Sequence, residues 1–306
     1  MTESDARPPT KAARFGAAFS LVFLSVVGAL LADISKGENR EYGYNPLTVP
    51  PVVELTKAVI SCLAGLRTGS HVSVRTFDFA SYLLFSIPAA CYFISNSCMF
   101  IIIHDLGASQ YQILSTIKIV FTAYLMRFFL KRKLSTRQVT STFILVIGVT
   151  LTQFRSRSFL PTRNSLRGYF SALLACVCSS VGGVYSEKLL KRVNGGNIHY
   201  KNIQLYTWGF AFGIGSWALT NPMTTSLTFF KGYDAIVCAM VIALSLSGIS
   251  VSYLLKYTDS LVKSMITALA IAVTTWIQML RGIDELSYSV LCGIILIAQA
   301  LSLYAS

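Results

Sequence analysis

Charged residues are scarce in this 306-residue chain, since Asp, Glu, Lys and Arg together make up 13% of it. A typical soluble domain contains about 25% charged residues. Hydrophobic residues make up 54% of the chain, and the mean hydropathy is +0.60. This composition excludes a soluble enzyme, a collagen-like chain and a disordered chain. One spanning helix needs about 20 apolar residues. The composition therefore predicts an all-α polytopic membrane protein with about ten spans.

Metal-ligand clusters are also lacking. The three histidines, His71, His104 and His199, stand apart in or beside loops, and the acidic residues are scattered, with Asp284-Glu285 as the one adjacent pair. No carboxylate cluster suited to metal-dependent transfer chemistry is therefore present in the sequence. We expect no metal site, no cofactor and no catalytic residue. The cysteines all lie in apolar runs, where free cysteine is usually a packing residue: Cys62, Cys91, Cys98, Cys176, Cys178, Cys238 and Cys292.

Basic residues outnumber acidic ones, with 26 Lys and Arg against 13 Asp and Glu and a formal net charge of +13. In a soluble protein this excess would suggest nucleic acid as a partner. Here most basic residues lie in short segments between apolar runs, where they set membrane orientation. No basic stretch is interleaved with aromatic residues on a polar background, so we expect no nucleic-acid binding. The larger share falls on the cytosolic side if both termini are cytosolic, which favours that topology.

The apolar runs define the predicted spans. They form one transmembrane domain over residues 1–306, with a first half at about 15–154 and a second half at about 167–305. Outer-membrane strands are not expected, because no short alternating segments occur. The ten predicted helices lie at about 15–34, 47–66, 79–104, 107–130, 138–154, 167–190, 202–220, 234–256, 260–280 and 286–305.

A short internal repeat links the two halves. The fourth span contains Lys118-Ile-Val-Phe-Thr122-Ala123, and the ninth contains Lys263-Ser-Met-Ile-Thr267-Ala268. Such a short match between apolar helices can arise by chance, but it falls at corresponding spans of two five-span halves. With five spans per half, the second half has the opposite topology, as in many secondary transporters. The sequence therefore predicts a 5+5 inverted repeat.

Charged side chains inside the spans are the strongest functional signal, because each costs about 2.5–3.5 kcal/mol at the bilayer centre. Glu54 and Lys57 share one helix face, either as an internal ion pair or as a charge-balanced patch facing a cavity. Lys118 has no carboxylate three or four residues away and needs an anionic partner from elsewhere. Lys263 lies four residues after Asp259, which also allows an exposed pair at a helix end. Lysines that converge on one cavity would suit a phosphate.

Aromatic and amide side chains follow helical spacing near these charges. Tyr92 and Asn96 are four residues apart in the third span, and Asn202 and Tyr206 are four apart in the seventh. Tyr111 lies seven residues before the lysine of the fourth span. Tyrosine offers a stacking face for a base, and asparagine can bind a base edge. A membrane-interface role is the alternative for each tyrosine.

Small residues are concentrated in the sixth span, in the segment Ser179-Ser180-Val-Gly182-Gly183. Such a segment is typical of close helix–helix packing. It also allows the backbone to approach a ligand closely. The sequence alone leaves both interpretations open.

Together these segments resemble the nucleotide-sugar transporter family, in the branch that carries CMP-sialic acid, UDP-galactose and UDP-N-acetylglucosamine. The resemblance covers nearly the whole chain, in order. Each motif alone is weak evidence for the family, but six motifs in the same order are specific to it. The motifs are Glu54-x-x-Lys57; Pro88-x-x-x-Tyr92-x-x-x-Asn96; Ala108-x-x-Tyr111-Gln112-x-x-x-x-x-Lys118-Ile119-x-x-Thr122-Ala123; Gly183-Val184-Tyr185-Ser186-Glu187-Lys188-x-x-Lys191; Asn202-Ile203-Gln204-Leu205; and Lys256-Tyr257-Thr258-Asp259-x-x-x-Lys263.

The resemblance implies a ten-helix drug/metabolite-transporter fold in the Golgi membrane, with the endoplasmic reticulum as the alternative location. It implies exchange of a cytosolic nucleotide sugar for a lumenal nucleoside monophosphate by alternating access, without catalysis, and leaves a homodimer open. Glu54 and Lys57 match the family's polar pair on the sugar–phosphate side. The positions that match its nucleotide-binding residues are Lys118, Lys263, Tyr92, Asn96, Tyr111, Ser179, Ser180, Asn202, Tyr206 and Ser252.

Three departures from the family pattern leave the base and the sugar undetermined: Asn96-Ser97 replaces paired asparagines, and Ser180 and Ser264 replace glycines. One alternative is a transporter of the same fold for another phosphorylated metabolite or small organic solute. Such a protein would not need the tyrosine–asparagine set that suits a base. A membrane-embedded transferase or a scaffold is a further alternative, which the scattered carboxylates disfavour.

Overall fold

A computed structural model describes residues 11–35, 42–67, 79–106, 108–131, 134–153, 165–191, 197–220, 229–281 and 288–305. Helices make up nearly all of this part of the chain, and each corresponds to one predicted span. The largest differences at the start of a span are in the first and seventh helices, which each begin four residues earlier than predicted. The helices are α1 Lys11–Ile34, α2 Val49–Arg67, α3 Phe79–Leu106, α4 Ala108–Phe129, α5 Thr136–Gln153, α6 Ser165–Lys191, α7 Ile198–Thr220, α8 Ala235–Tyr257, α9 Ser260–Leu280 and α10 Tyr288–Ala305.

Seven of these helices, α1 to α4, α6, α8 and α9, are long and apolar enough to cross a membrane, and α10 is a shorter apolar helix. In a bilayer the backbone must form its hydrogen bonds within the segment, which only helices and closed barrels achieve. The all-helical architecture and this apolar character identify a multi-pass membrane protein.

Polar side chains determine where two of the helices begin. Asp234 precedes α8 and accepts a hydrogen bond from the Val237 backbone N–H at 2.8 Å. Asp259 does the same at the start of α9, where its side chain accepts from the Val262 N–H at 2.8 Å. Each carboxylate satisfies a backbone donor that has no partner inside its helix. The α8–α9 connection therefore ends one helix and starts the next within three residues.

Glycines allow α5 and α10 to cross closely. A side-chain carbon on Gly148 would lie 3.0 Å from the Gly293 carbonyl oxygen, so neither glycine leaves room for a larger residue. Around this crossing, Leu145, Val149 and Ile297 are fully buried in one apolar cluster. Small residues at helix interfaces are the usual means of close packing in a membrane, where no hydrophobic effect drives helices together.

Helices α2 and α7 pack antiparallel along their whole length, at one side of the centre of the helix bundle. Pro51, near the start of α2, lies against Gly213, and Gly65, near its end, lies against His199 at the start of α7. We call the end of the bundle that holds Gly65 and His199 the Lys191 end, because α6 also ends there. The opposite end is the Leu47 end, where the short 3-10 helix Pro46–Thr48 leads into α2.

Candidate substrate-binding cavity

A cavity of about 400 Å³ lies between α2, α3, α6, α7, α8 and α9. It extends from Leu47 and Pro50, at the Leu47 end, to Leu190 of α6 and Leu255 of α8, close to the Lys191 end. Its apolar walls carry a limited set of polar groups, as is usual for small-molecule sites. The polar lining residues are Glu54, Lys57, Tyr92, Asn96, Ser97, Ser186, Tyr206, Ser216, Ser247, Ser252 and Lys263.

The charged pair of α2 lies on the cavity wall. The Lys57 ammonium donates to the Glu54 carboxylate at 2.6 Å, and it also lies 4.4 Å from the centre of the Tyr206 ring. The Tyr206 hydroxyl in turn lies 2.8 Å from the Ser252 hydroxyl of α8. An ion pair and a cation–π contact thus hold Lys57 without a ligand. The two interpretations of Glu54 and Lys57 are therefore compatible, because the internal pair lines a cavity.

Two glycines make room for this pair. A side-chain carbon on Gly248 of α8 would lie 2.7 Å from Lys57 Cδ, and one on Gly209 of α7 would lie 3.0 Å from the Glu54 carboxylate. Gly248 and Gly209 are not among the site residues predicted from the sequence. The available signal was a glycine inside an apolar helix, which costs about 1 kcal/mol and usually has a packing or functional reason.

Lys263 projects into the same cavity from α9. Its ammonium donates to the Tyr92 hydroxyl of α3 at 3.3 Å and lies 5.0 Å from the centre of that ring. Tyrosine supplies no negative charge, and no described carboxylate forms an ion pair with the Lys263 ammonium. This differs from Lys57, whose charge a carboxylate neutralises. The cavity therefore carries one neutralised and one uncompensated lysine among its lining residues.

Five of the predicted site residues do not line this cavity in the described part of the chain: Lys118, Tyr111, Ser179, Ser180 and Asn202. Ser180 donates to the Lys118 carbonyl oxygen at 2.9 Å and so joins α6 to α4, which is a packing role. Tyr111 packs against the apolar cluster between α3 and α6. Asn202 is fully buried, and neither amide atom has a hydrogen-bond partner among the residues described.

Lys118 lies near the cavity without being part of its wall. No described residue forms a hydrogen bond or an ion pair with its ammonium, in agreement with the missing local carboxylate. Its helix, α4, packs against α9, the helix that carries Lys263. An anion bound between these two helices would be attracted to both lysines.

We expect Gly248→Ala to weaken ligand binding several-fold, because the added methyl group would displace Lys57 from Glu54 and from the Tyr206 ring. The measurement is the ligand-induced thermal shift of the purified protein with CMP, UDP and GDP sugars, because the resemblance places Lys57 on the sugar side. Gly215→Ala is the matched control, since a side-chain carbon there would contact nothing within 4 Å. Equal losses in the two variants would contradict the role of Gly248.

The fold as a whole is similar to a solved crystal structure, with a TM-score of 0.74 over 97% of this chain and 98% of that one. The sequence identity is 15%, so this likeness shows the fold alone. An apolar helical bundle around a cavity lined by lysine, glutamate and tyrosine fits a membrane transporter, because charged side chains inside the membrane mark a substrate path.

Sequence comparison identifies the family. Residues 17–305 match the family model for the nucleotide-sugar transporter, and the chain belongs to that family. It is 31% identical to CMP-sialic acid transporter 1 of Arabidopsis thaliana, over 93% of this chain and 87% of that protein. It is 30% identical to the UDP-N-acetylglucosamine transporter of Rattus norvegicus, over 85% of each chain. The family resemblance inferred from the motifs is thus confirmed, and the protein is a transporter and not an enzyme.

Proposed function

We propose that the protein exchanges a cytosolic nucleotide sugar for a lumenal nucleoside monophosphate in the Golgi membrane. The observation that carries this proposal is the uncompensated charge of Lys263 beside the Tyr92 ring, in a cavity that the Tyr206 ring also lines. A phosphate supplies the missing negative charge, and the rings suit a base. The names of the similar transporters, which specify CMP-sialic acid and UDP-N-acetylglucosamine, support the same class of substrate.

Alternating access in this proposal uses ten spans in a 5+5 inverted repeat. If α1–α5 correspond to α6–α10, the most extensive helix contacts of one half should recur in the other. Three pairs of contacts follow this rule. The α1–α8 contact corresponds to the α6–α3 contact, and the α1–α9 contact corresponds to the α6–α4 contact. The α2–α8 contact corresponds to the α7–α3 contact, and all six contacts occur. Locally, Thr122 donates to the Lys118 carbonyl oxygen at 2.7 Å and Thr267 to that of Lys263 at 2.9 Å. These correspondences support the repeat.

The Lys191 end of the bundle is sealed beyond the cavity. The buried Glu187 carboxylate of α6 accepts hydrogen bonds from the backbone N–H and the hydroxyl of Ser260, each at 2.7 Å. Lys191 donates to the same carboxylate at 2.7 Å and to the Thr258 carbonyl oxygen.

Tyr304, near the end of α10, donates to Asp259 at the Lys191 end of the bundle, and the start of α1 packs against Leu254 near the end of α8. With cytosolic termini, the sealed end therefore faces the cytosol, and the cavity extends from it toward the lumen. We infer that this conformation releases the nucleotide sugar and takes up the monophosphate.

Uptake of the preferred nucleotide sugar should accelerate several-fold when vesicles are preloaded with the matching monophosphate, because both compounds share a base and a phosphate. The measurement is uptake of labelled CMP, UDP and GDP sugars by proteoliposomes that contain CMP, UMP or GMP. Equal uptake into empty and preloaded vesicles would count against exchange. Transport of none of these nucleotide sugars would favour a different phosphorylated or organic solute on the same fold.

A further inference from the structure

One polar group of the cavity wall has no role in the site as described so far. Ser186 of α6 lines the cavity, its side chain is 1% exposed, and its hydroxyl has no hydrogen-bond partner among the described residues. Other helix hydroxyls in this protein donate to a carbonyl oxygen one turn earlier, as Thr56 does to Val52 and Ser245 to Val241. This is the usual arrangement for serine and threonine inside a helix. The Ser186 hydroxyl departs from it, and a buried hydroxyl without a partner is costly.

The surroundings of Ser186 are anchored firmly. The next residue, Glu187, accepts two hydrogen bonds from Ser260, at the first position of α9. Lys263 lies three residues further along α9, almost one helical turn, and lines the same cavity. Ser186 and Lys263 therefore line the cavity from adjacent helices, each within one turn of the Glu187–Ser260 contact.

A third donor completes this group. The Tyr92 hydroxyl accepts from Lys263, which leaves its own hydrogen available for another acceptor. Gly183, three residues before Ser186 on α6, lies beside this hydroxyl, because a side-chain carbon there would be 3.8 Å from it. Two hydroxyl donors and one ammonium thus line the same region of the cavity. An oxygen-rich anion can accept hydrogen bonds from all three.

We propose that Ser186 is a further substrate-binding residue, whose hydroxyl donates a hydrogen bond to a phosphate oxygen held by Lys263 and Tyr92. The proposal rests on the proposed function, since it assigns an additional contact to the same substrate phosphate. It explains why a buried hydroxyl remains without a partner in the protein alone: the substrate supplies the acceptor. Because nucleotide sugar and monophosphate both carry a phosphate, Ser186 contributes to the binding of both.

The test uses the full-length purified protein and its Ser186→Ala variant. Affinities for CMP, UMP and GMP, and for the phosphate-free nucleosides cytidine, uridine and guanosine, are measured by ligand-induced thermal shift. We expect the affinity for the preferred monophosphate to fall about tenfold, because one charge-assisted hydrogen bond is lost. The affinity for the nucleoside should stay unchanged. The ligand-free melting temperature should stay equal or rise, because the substitution removes an unsatisfied buried hydroxyl.

Ser141→Ala is the matched control, since Ser141 is also buried but donates to the Gln138 carbonyl oxygen in α5, away from the cavity. It should leave all affinities unchanged. Unchanged monophosphate affinity in Ser186→Ala, an equal loss for the nucleoside, or a lower ligand-free melting temperature would each overturn the assignment of Ser186. If the parent protein binds none of the three monophosphates, the proposed function fails together with this inference. Binding by the parent with no change in the variant overturns the inference alone.

Discussion

Replacing Lys263 by alanine should weaken monophosphate binding by about 10- to 150-fold, because a hydrogen bond to a charged group contributes about 1.5–3 kcal/mol and each 1.4 kcal/mol is a factor of ten. In the protein alone the ammonium has a neutral tyrosine hydroxyl as its partner at 3.3 Å. A phosphate is therefore the first full negative charge that it meets at the cavity wall. The loss should appear in the affinity of the purified variant and in uptake by proteoliposomes.

The other lysines provide comparisons for this result. Lys231→Ala is the control, because Lys231 is exposed in the segment before α8. Lys57→Ala should affect the nucleotide sugar more than the monophosphate, since Lys57 keeps Glu54 as a partner at 2.6 Å and matches the sugar side by resemblance. Lys118→Ala should be as severe as Lys263→Ala, because the sequence gives Lys118 no local carboxylate. If Lys263→Ala binds monophosphate as tightly as the parent, the cavity is not the phosphate site.

Local sequence relations predicted part of this arrangement correctly. Glu54 and Lys57 are one helical turn apart, so their pairing follows from helix geometry alone, and the structure shows it at 2.6 Å. The positions of the helices follow from apolar runs of sufficient length. The predicted convergence of the two repeat-related lysines on one cavity stays a prediction, since Lys263 lines the cavity and Lys118 does not.

Contacts between distant segments were not predictable from one sequence. Glu187 and Ser260 are 73 residues apart, and their hydrogen bonds depend on how α6 packs beside the α8–α9 connection. Gly248 makes room for a lysine of α2, almost 200 residues earlier, so its role appears only when the helices are placed. The orphaned Ser186 hydroxyl is likewise a property of the folded environment. Spacing within one helix carries no information about any of these.

The seal at the Lys191 end leads to the second large expected effect. Glu187→Gln should shift the protein toward conformations that are open at this end, because the amide loses the ion pair with Lys191 and part of its attraction for the Ser260 donors. The carboxylate is buried, so its hydrogen bonds to charged and neutral donors are shielded from competition with water. One charge-assisted hydrogen bond contributes about 1.5–3 kcal/mol. Its loss would raise the fraction of molecules open at the Lys191 end by about tenfold or more, as long as that fraction is small.

A cysteine at Leu255 reports this opening. Leu255 lies in α8, lines the cavity and is buried near the seal. In a background without the native cysteines, Leu255→Cys should react with a membrane-impermeant thiol reagent applied from the Lys191 end. The reaction should be about tenfold faster or more when Glu187→Gln is also present.

Asp105→Asn is the control, because it also alters a buried carboxylate, at the end of α3, and should leave this labelling rate unchanged. Equal labelling of Leu255→Cys with and without Glu187→Gln would mean that other contacts keep the Lys191 end closed, since the hydrogen bonds of Glu187 would then contribute little to the difference in free energy between the two conformations.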